Sequence, residues 1–195
     1  GHRLGDTLFA ESLVAVDVET GQRQWHFQMI HHGLWDYDLP AAPNLLDIVV
    51  DGRSVKAVAQ VSKQGFLYVF DRVTGEPIWP IPEQTVATDT DLEGEVMSPT
   101  QPLPSRPDPF EYQGTSIDDL VDFTPEIRQM AIDAVEGFRL GPLYTPQTQR
   151  GTIMRPAVAG RANWSGAAVY ASDGDPPEHG RARVDDPDGK RRSNS

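Results

Sequence analysis

The chain has 195 residues, no cysteine and a net charge of −12 at neutral pH. Such acidity argues against a nucleic-acid partner, because phosphate binding requires a basic surface. The lack of cysteine excludes disulfides, thiolate zinc sites and cysteine nucleophiles. No apolar run reaches the roughly 20 residues of a membrane span. Because the first residue is Gly1 rather than Met, we expect the chain to be part of a longer protein.

The pattern Asp-x-x-Thr-Gly-x-x-x-Trp occurs twice, at 17–25 and again at 71–79. In each copy the Asp side chain can accept hydrogen bonds from a turn, and the Gly can adopt the positive φ that ends it. Two copies with the same Trp offset indicate repeated hairpins, as in propeller blades or solenoids. We expect Trp25 and Trp79 to be structural residues that pack one blade on the next.

A complete antiparallel meander is predicted between the two copies. Its four strands are Leu45–Val50, Ser54–Val61, Phe66–Phe70 and Glu76–Trp79, with a hairpin turn at Asp51-Gly52. Four short strands of this kind make one propeller blade. The 17 Gly and 17 Pro residues also favour many turns over a helical bundle.

An insertion at about 80–150 interrupts the blades. Residues 80–116 are rich in proline and predict an irregular loop across the surface. Residues 124–138 change to a helical period, with Thr124 as the N-cap and Pro125 at the first helical position. We therefore predict a helical insertion in an otherwise all-β chain.

The end of the chain differs from the rest. Residues 173–195 carry many charges of both signs, and Val184 is their only large apolar side chain. Such a composition predicts a disordered polar tail. The folded domain is accordingly predicted to span 1–172.

Several segments share the order and spacing of one known family. They read Trp-His-Phe-Gln (25–28), His-His-Gly-Leu-Trp-Asp-Tyr-Asp-Leu-Pro (31–40), Lys-Gln-Gly-Phe-Leu-Tyr-Val-Phe-Asp-Arg (63–72), Ser-Pro-Thr-Gln-Pro (98–102) and Asn-Trp-Ser-Gly-Ala-Ala (163–168). In these residues the chain resembles the quinoprotein dehydrogenases that use pyrroloquinoline quinone (PQQ), above all the membrane-associated glucose dehydrogenase branch. The resemblance implies an all-β fold, a partial eight-bladed β-propeller with two to three four-stranded antiparallel blades in this chain.

The resemblance also implies a chemistry and its residues. An aldose or an alcohol would be oxidised by hydride transfer to PQQ, with a divalent cation, Ca²⁺ or alternatively Mg²⁺, at the cofactor. Asp36 matches the family's catalytic base, and Asp36 and Asp38 are candidate metal ligands. Lys63 matches the cation that touches the quinone oxygens, and Asn163 and Trp164 match a pair beside the cofactor.

Each of these residues has a plainer interpretation as well. Asp36 and Asp38 could be two acids in a tight loop that meets water, and Lys63 an ordinary turn lysine. Asn163 and Trp164 could be a strand-end amide and a core aromatic.

Two adjacent histidines, His31 and His32, suggest a metal site at first sight. Neighbours on a strand point to opposite faces, which makes them poor joint ligands. We therefore expect one to point inward for packing and the other outward.

The partners and location follow from the resemblance. It implies a periplasmic enzyme that passes electrons to the quinone pool or a cytochrome, with any membrane attachment outside this chain. The alternative is a non-catalytic periplasmic propeller scaffold, such as an outer-membrane assembly lipoprotein, which has the repeat but does not need Lys63 or the Trp-Asp-Tyr-Asp segment. We expect the isolated 195 residues to bind PQQ weakly and to be inactive, because an incomplete propeller leaves strand edges open.

Overall fold

The computed structural model describes residues 5–169, which form mainly antiparallel hairpins. In chain order the elements are β1 (Ser12–Val16), β2 (Arg23–Gln28), β3 (Asn44–Val50), β4 (Arg53–Val61), β5 (Leu67–Asp71), β6 (Glu83–Thr85), β7 (Thr100–Pro102), a 3₁₀ turn (Ile117–Asp119) and helix α1 (Pro125–Val135). They make three sheets, β1-β2, β3-β4-β5 and β6-β7. The predicted tail at 173–195 lies outside the described residues.

Both copies of the repeated pattern form the same turn. The Asp17 carboxylate accepts hydrogen bonds from the Thr20 amide (2.8 Å) and hydroxyl (2.8 Å). The Asp71 carboxylate likewise accepts from the amides of Val73 (2.8 Å) and Thr74 (3.1 Å). In each turn the carboxylate accepts hydrogen bonds from amides that have no partner in the sheet. The hairpin interpretation of the repeat is therefore confirmed.

The predicted β3-β4-β5 meander is confirmed, and its central part is buried on both faces. Alternate residues of β4 and β5 point to opposite sides, so Ala57, Ala59, Val61, Leu67 and Val69 form one core cluster and Val58, Tyr68 and Phe70 contribute to another. The fourth strand predicted at Glu76–Trp79 is wrong. It is reduced to one bridge between Phe70 and Pro77, flanked by hydrogen bonds from the Asp71 amide to the Glu76 oxygen (2.8 Å) and from the Ile78 amide to the Val69 oxygen (2.9 Å), after which the chain bends at Ile78 and Trp79.

The first tryptophan of the pattern joins the two repeats. The Trp25 indole lies against Gly75, where an added Cβ would come within 2.6 Å of the ring, and its nitrogen donates to the Arg72 carbonyl oxygen at 3.1 Å. The structural role predicted for Trp25 is thereby confirmed. Trp79 is partly buried and packs against the cluster that contains Ala57.

The insertion has more regular structure than predicted. Within the proline-rich stretch that was expected to be irregular, β6 and β7 pair antiparallel. Helix α1 is present, and the Thr124 hydroxyl accepts from the Ile127 amide at 3.3 Å as its N-cap. No residue of α1 is buried, and Met130 is 69% exposed. Within residues 5–169, no helix has the length and apolar character of a membrane span.

Candidate active site

The loop between β2 and β3 presents the two predicted acids. Trp35 and Tyr37 are buried, at 1% and 2% exposure, and anchor the loop through hydrogen bonds to the carbonyl oxygens of Thr145 and Pro156. Asp36 lies between these anchors with a left-handed backbone (φ 60°) and a side chain that is 66% exposed. The buried aromatic rings thus hold the loop while Asp36 extends into solvent, in a strained conformation of the kind found at functional sites.

Lys63 lies in the tight turn between β4 and β5. Its side chain is only 7% exposed, yet it carries an ammonium group. That group donates to the Asp36 main-chain oxygen at 3.0 Å and lies 3.5 Å from Asp36 Oδ2. It also forms a short ion pair with Asp38 Oδ1. The structure therefore brings Asp36, Asp38 and Lys63 into one cluster.

Segments far apart in sequence hold the Lys63 turn in place. The Gln113 side chain donates to the Gln64 carbonyl oxygen at 2.9 Å, and the Arg161 amide donates to the Lys63 carbonyl oxygen at 3.3 Å. The Arg161 guanidinium and the Glu111 carboxylate, 3.2 Å apart, join the two holding segments. No motif in the sequence points to Gln113, Glu111 or Arg161, because their role depends on contacts made only in the folded chain.

Gly160 lies directly against Lys63. A Cβ on Gly160 would be 2.3 Å from Lys63 Cβ and 2.5 Å from its Cγ, and the backbone φ is +64°. Both the space and the dihedral therefore require glycine here. The contact fixes the lysine side chain where it leaves the turn.

Asn163 and Trp164 follow in the same loop, where Asn163 forms hydrogen bonds to neighbouring residues. The Asn163 side chain donates to the Ala159 oxygen at 2.7 Å and accepts from the Trp164 amide at 2.9 Å, both within the loop. The Trp164 side chain is 82% exposed. Within residues 5–169 Trp164 is therefore not a core aromatic, and the roles predicted for both residues at the cofactor stay predictions.

The two histidines bind acids of the insertion. His31 is partly buried and its Nε2 lies 2.9 Å from Glu83 Oε1, while the buried His32 has its Nε2 2.6 Å from Glu95 Oε1. Burial tends to raise the pKa of the Glu95 carboxyl, but the hydrogen bond and charge of His32 outweigh it and the pKa is lowered. His32 is buried, but the His31 side chain is only 18% exposed and neither residue lies in a strand, so the expected inward and outward division holds only in part. Sequence reasoning did not find the glutamate partners.

The tyrosines around the site do not ionise near neutral pH. Burial raises the pKa of Tyr37 to about 12. Burial likewise raises the pKa of Tyr144 and of Tyr68, which are both fully enclosed. These phenols are therefore hydrogen-bonding and packing groups, and the exposed carboxylate of Asp36 is the better candidate for a base.

Comparison with known proteins identifies the family of the chain. The family model "PQQ: Glucose/ethanol/alcohol dehydrogenase, beta-propeller domain" matches residues 1–174. The chain is 33% identical over 168 residues to the quinoprotein glucose dehydrogenase of Escherichia coli (strain K12), covering 83% of this chain and 20% of that protein. It is also 33% identical over 164 residues to the quinate/shikimate dehydrogenase (quinone) of Acinetobacter baylyi, with coverages of 84% and 20%. The chain thus spans about a fifth of the length of these relatives.

A solved structure supports the fold. The europium-containing methanol dehydrogenase matches with a TM-score of 0.51 and 20% identity, covering 85% of this chain and 22% of that one. At this identity the match shows the fold alone. Together with the family match, it assigns the antiparallel sheets to a β-propeller domain.

Proposed function

Because this chain belongs to the family of PQQ-dependent glucose, ethanol and alcohol dehydrogenases, we propose that it supplies the base and a quinone-contacting cation of an enzyme that oxidises an aldose or an alcohol. One observation carries the proposal. A buried ammonium, Lys63 Nζ, lies 3.5 Å from the exposed carboxylate of Asp36. A carboxylate that can accept a proton thus lies beside an ammonium that can stabilise a developing negative charge.

Asp36 takes the hydroxyl proton of the substrate. Its side chain is 66% exposed and so can meet a substrate, and the Lys63 ammonium lies 3.5 Å from its Oδ2. The buried tyrosines cannot replace it, because the pKa of Tyr37 is raised to about 12. PQQ, when bound, would supply the electron sink that no side chain provides.

When PQQ is bound, Lys63 would supply the cation that stabilises negative charge on the quinone oxygens, and Asn163 and Trp164 would help to hold the cofactor. An ammonium, an amide and an aromatic plane suit a flat, anionic quinone. Within residues 5–169 the Trp164 side chain is 82% exposed, so its ring is accessible to a cofactor. The loop that carries the pair begins at Gly160, against the Lys63 stem.

The resemblance implies a divalent cation, Ca²⁺ or alternatively Mg²⁺, at Asp36 and Asp38, whose carboxylate oxygens have the right chemistry. Ca²⁺ takes roughly six to eight oxygen ligands, however, and residues 5–169 contain no group of three His, Cys, Asp or Glu that could hold a metal ion. Lys63 also engages Asp38. The described residues therefore do not by themselves fit a calcium site, and the steps proposed above use side chains only.

The wider protein is proposed to be an eight-bladed propeller in the periplasm that passes electrons to the quinone pool or a cytochrome. Identity is 33% both to a glucose dehydrogenase and to a quinate/shikimate dehydrogenase. This equality supports a hydroxyl-bearing substrate of either the aldose or the alcohol class.

Replacing Asp36 in the longer protein that carries this chain tests the proposal. Asp36→Asn, loaded with PQQ, should bind the quinone like the wild type, read by absorbance, and lose turnover by about 10²–10⁴-fold, the usual worth of a general base. Asp47→Asn is the matched control, since Asp47 is an exposed acid that pairs with Arg72 away from the cluster. Wild-type turnover in Asp36→Asn would refute the base assignment, and no spectral change with added PQQ would favour the scaffold.

A further inference from the structure

The two acids of the cluster bind Lys63 in different ways. Asp38 presents its carboxylate to the ammonium as the nearest group. Asp36 presents its main-chain oxygen at 3.0 Å, while its own carboxylate stays 3.5 Å away. The Asp38 side chain is also the less exposed of the two, at 49% against 66%.

We propose that Asp38 is the resident counter-ion and positioning residue of Lys63. A lysine that is only 7% exposed needs a partner, because a buried charge without one is costly. Asp38 meets this need more closely than Asp36, whose carboxylate stays 3.5 Å from the ammonium and 66% exposed. Only the consequence for catalysis rests on the proposed function; the pairing itself does not.

The direction of the ammonium is set at both ends of the lysine. Gly160 presses on its Cβ and Cγ, which leaves few positions for the rest of the chain. At the far end, the ammonium donates hydrogen bonds to Asp38 Oδ1 and to the Asp36 main-chain oxygen. The Asp36 main-chain oxygen remains an acceptor when the Asp36 side chain is replaced. Substitution of Asp36 should therefore affect Lys63 less than substitution of Asp38.

This role competes with metal binding by Asp38. A divalent cation that took the Asp38 carboxylate would remove the ligand nearest to Lys63. The proposal therefore predicts that added Ca²⁺ leaves Lys63 as protected as before, whereas a metal-ligand role predicts that Ca²⁺ exposes it.

Lysine acetylation of the full 195-residue chain, followed by mass spectrometry, tests the proposal without PQQ or turnover. Lys56 is exposed and serves as the internal reference. In the wild type Lys63 should react more slowly than Lys56. Asp38→Asn should raise the Lys63 rate about tenfold or more, the factor expected when a charge-assisted hydrogen bond is lost. The conservative Asp38→Glu should restore protection.

Two controls isolate Asp38. Asp36→Asn should change the Lys63 rate by less than about twofold, because its main-chain oxygen remains as an acceptor. Asp47→Asn, which removes an acid paired with Arg72, should change nothing at Lys63. Equal effects of Asp36→Asn and Asp38→Asn, an unprotected Lys63 in the wild type, or exposure of Lys63 by Ca²⁺ would each overturn the proposal.

A variant that unfolds is also informative. If circular dichroism shows that Asp38→Asn unfolds the chain, adding Lys63→Met should restore the fold, because the unpaired ammonium is then gone. A double variant that stays unfolded would overturn the proposal. Since none of these measurements uses catalysis, a failure of the proposed function and a failure of this pairing give different results.

Discussion

Alanine at Gly75 tests whether the two repeats are held together by Trp25. The Cβ of alanine would lie 2.6 Å from Trp25 Cγ and 2.7 Å from its Cδ2, far inside normal contact. Moving the indole would also disturb its hydrogen bond to the Arg72 carbonyl oxygen. We therefore expect the loss of stability to exceed that of a simple glycine replacement.

Two terms give the magnitude. Gly75 has φ +80°, and a left-handed backbone costs an ordinary residue roughly 1–2 kcal/mol. Overpacking a fitted contact adds about 1–3 kcal/mol. Gly21 is the matched control, because it holds the same place in the first repeat with φ +69° and has nothing within 4 Å of its Cβ position. Gly21→Ala should therefore show the backbone term alone.

The assay is thermal unfolding of the two variants beside the wild type. A difference of about 1–3 kcal/mol between them corresponds to roughly 2–12 °C in Tm for a chain of this size. In a Trp25→Ala background most of the extra cost of Gly75→Ala should disappear, because the ring contacts at 2.6 Å and 2.7 Å are gone and only the Trp25 Cβ position, at 2.9 Å, remains. Equal losses at both glycines, or an extra cost that persists without the indole, would refute the reasoning.

Three further predictions concern other contacts. Gly160→Ala should destabilise the chain by about 2 kcal/mol or more and speed the acetylation of Lys63, since its Cβ would overlap the Lys63 stem; an unchanged rate would contradict this. Thr124→Ala should cost about 1 kcal/mol in urea unfolding, with Thr124→Ser as the control that keeps the cap. The pKa of Glu95 is lowered by His32, so their pair stabilises the fold above pH 4.5 and loses this effect as the pH falls through the lowered pKa. Glu95→Gln should thus lower the urea midpoint at neutral pH and match the wild type in strong acid, and a deficit that persists in acid would refute the assignment.

Local patterns were enough to predict the hairpins, the β3-β4-β5 meander and the N-cap of α1. Each depends on residues close in sequence, such as the Asp71 carboxylate with the amides that follow it. The predicted fourth strand failed because the chain bends at Ile78 and Trp79, directly after the single bridge at Pro77. The β6-β7 pair was missed because its strands have three residues each, too few for a clear period.

At the site, the family motifs identified Asp36, Asp38 and Lys63 as candidates from the sequence alone. What only the tertiary structure decided is how they meet: Lys63 binds Asp38 through its carboxylate and Asp36 mainly through a main-chain oxygen. Gly160 and Arg161 complete the site from a distant loop. Sequence motifs report residue types and local spacing, whereas the partner of a buried ammonium depends on which segments the folded chain brings within a few ångströms of it.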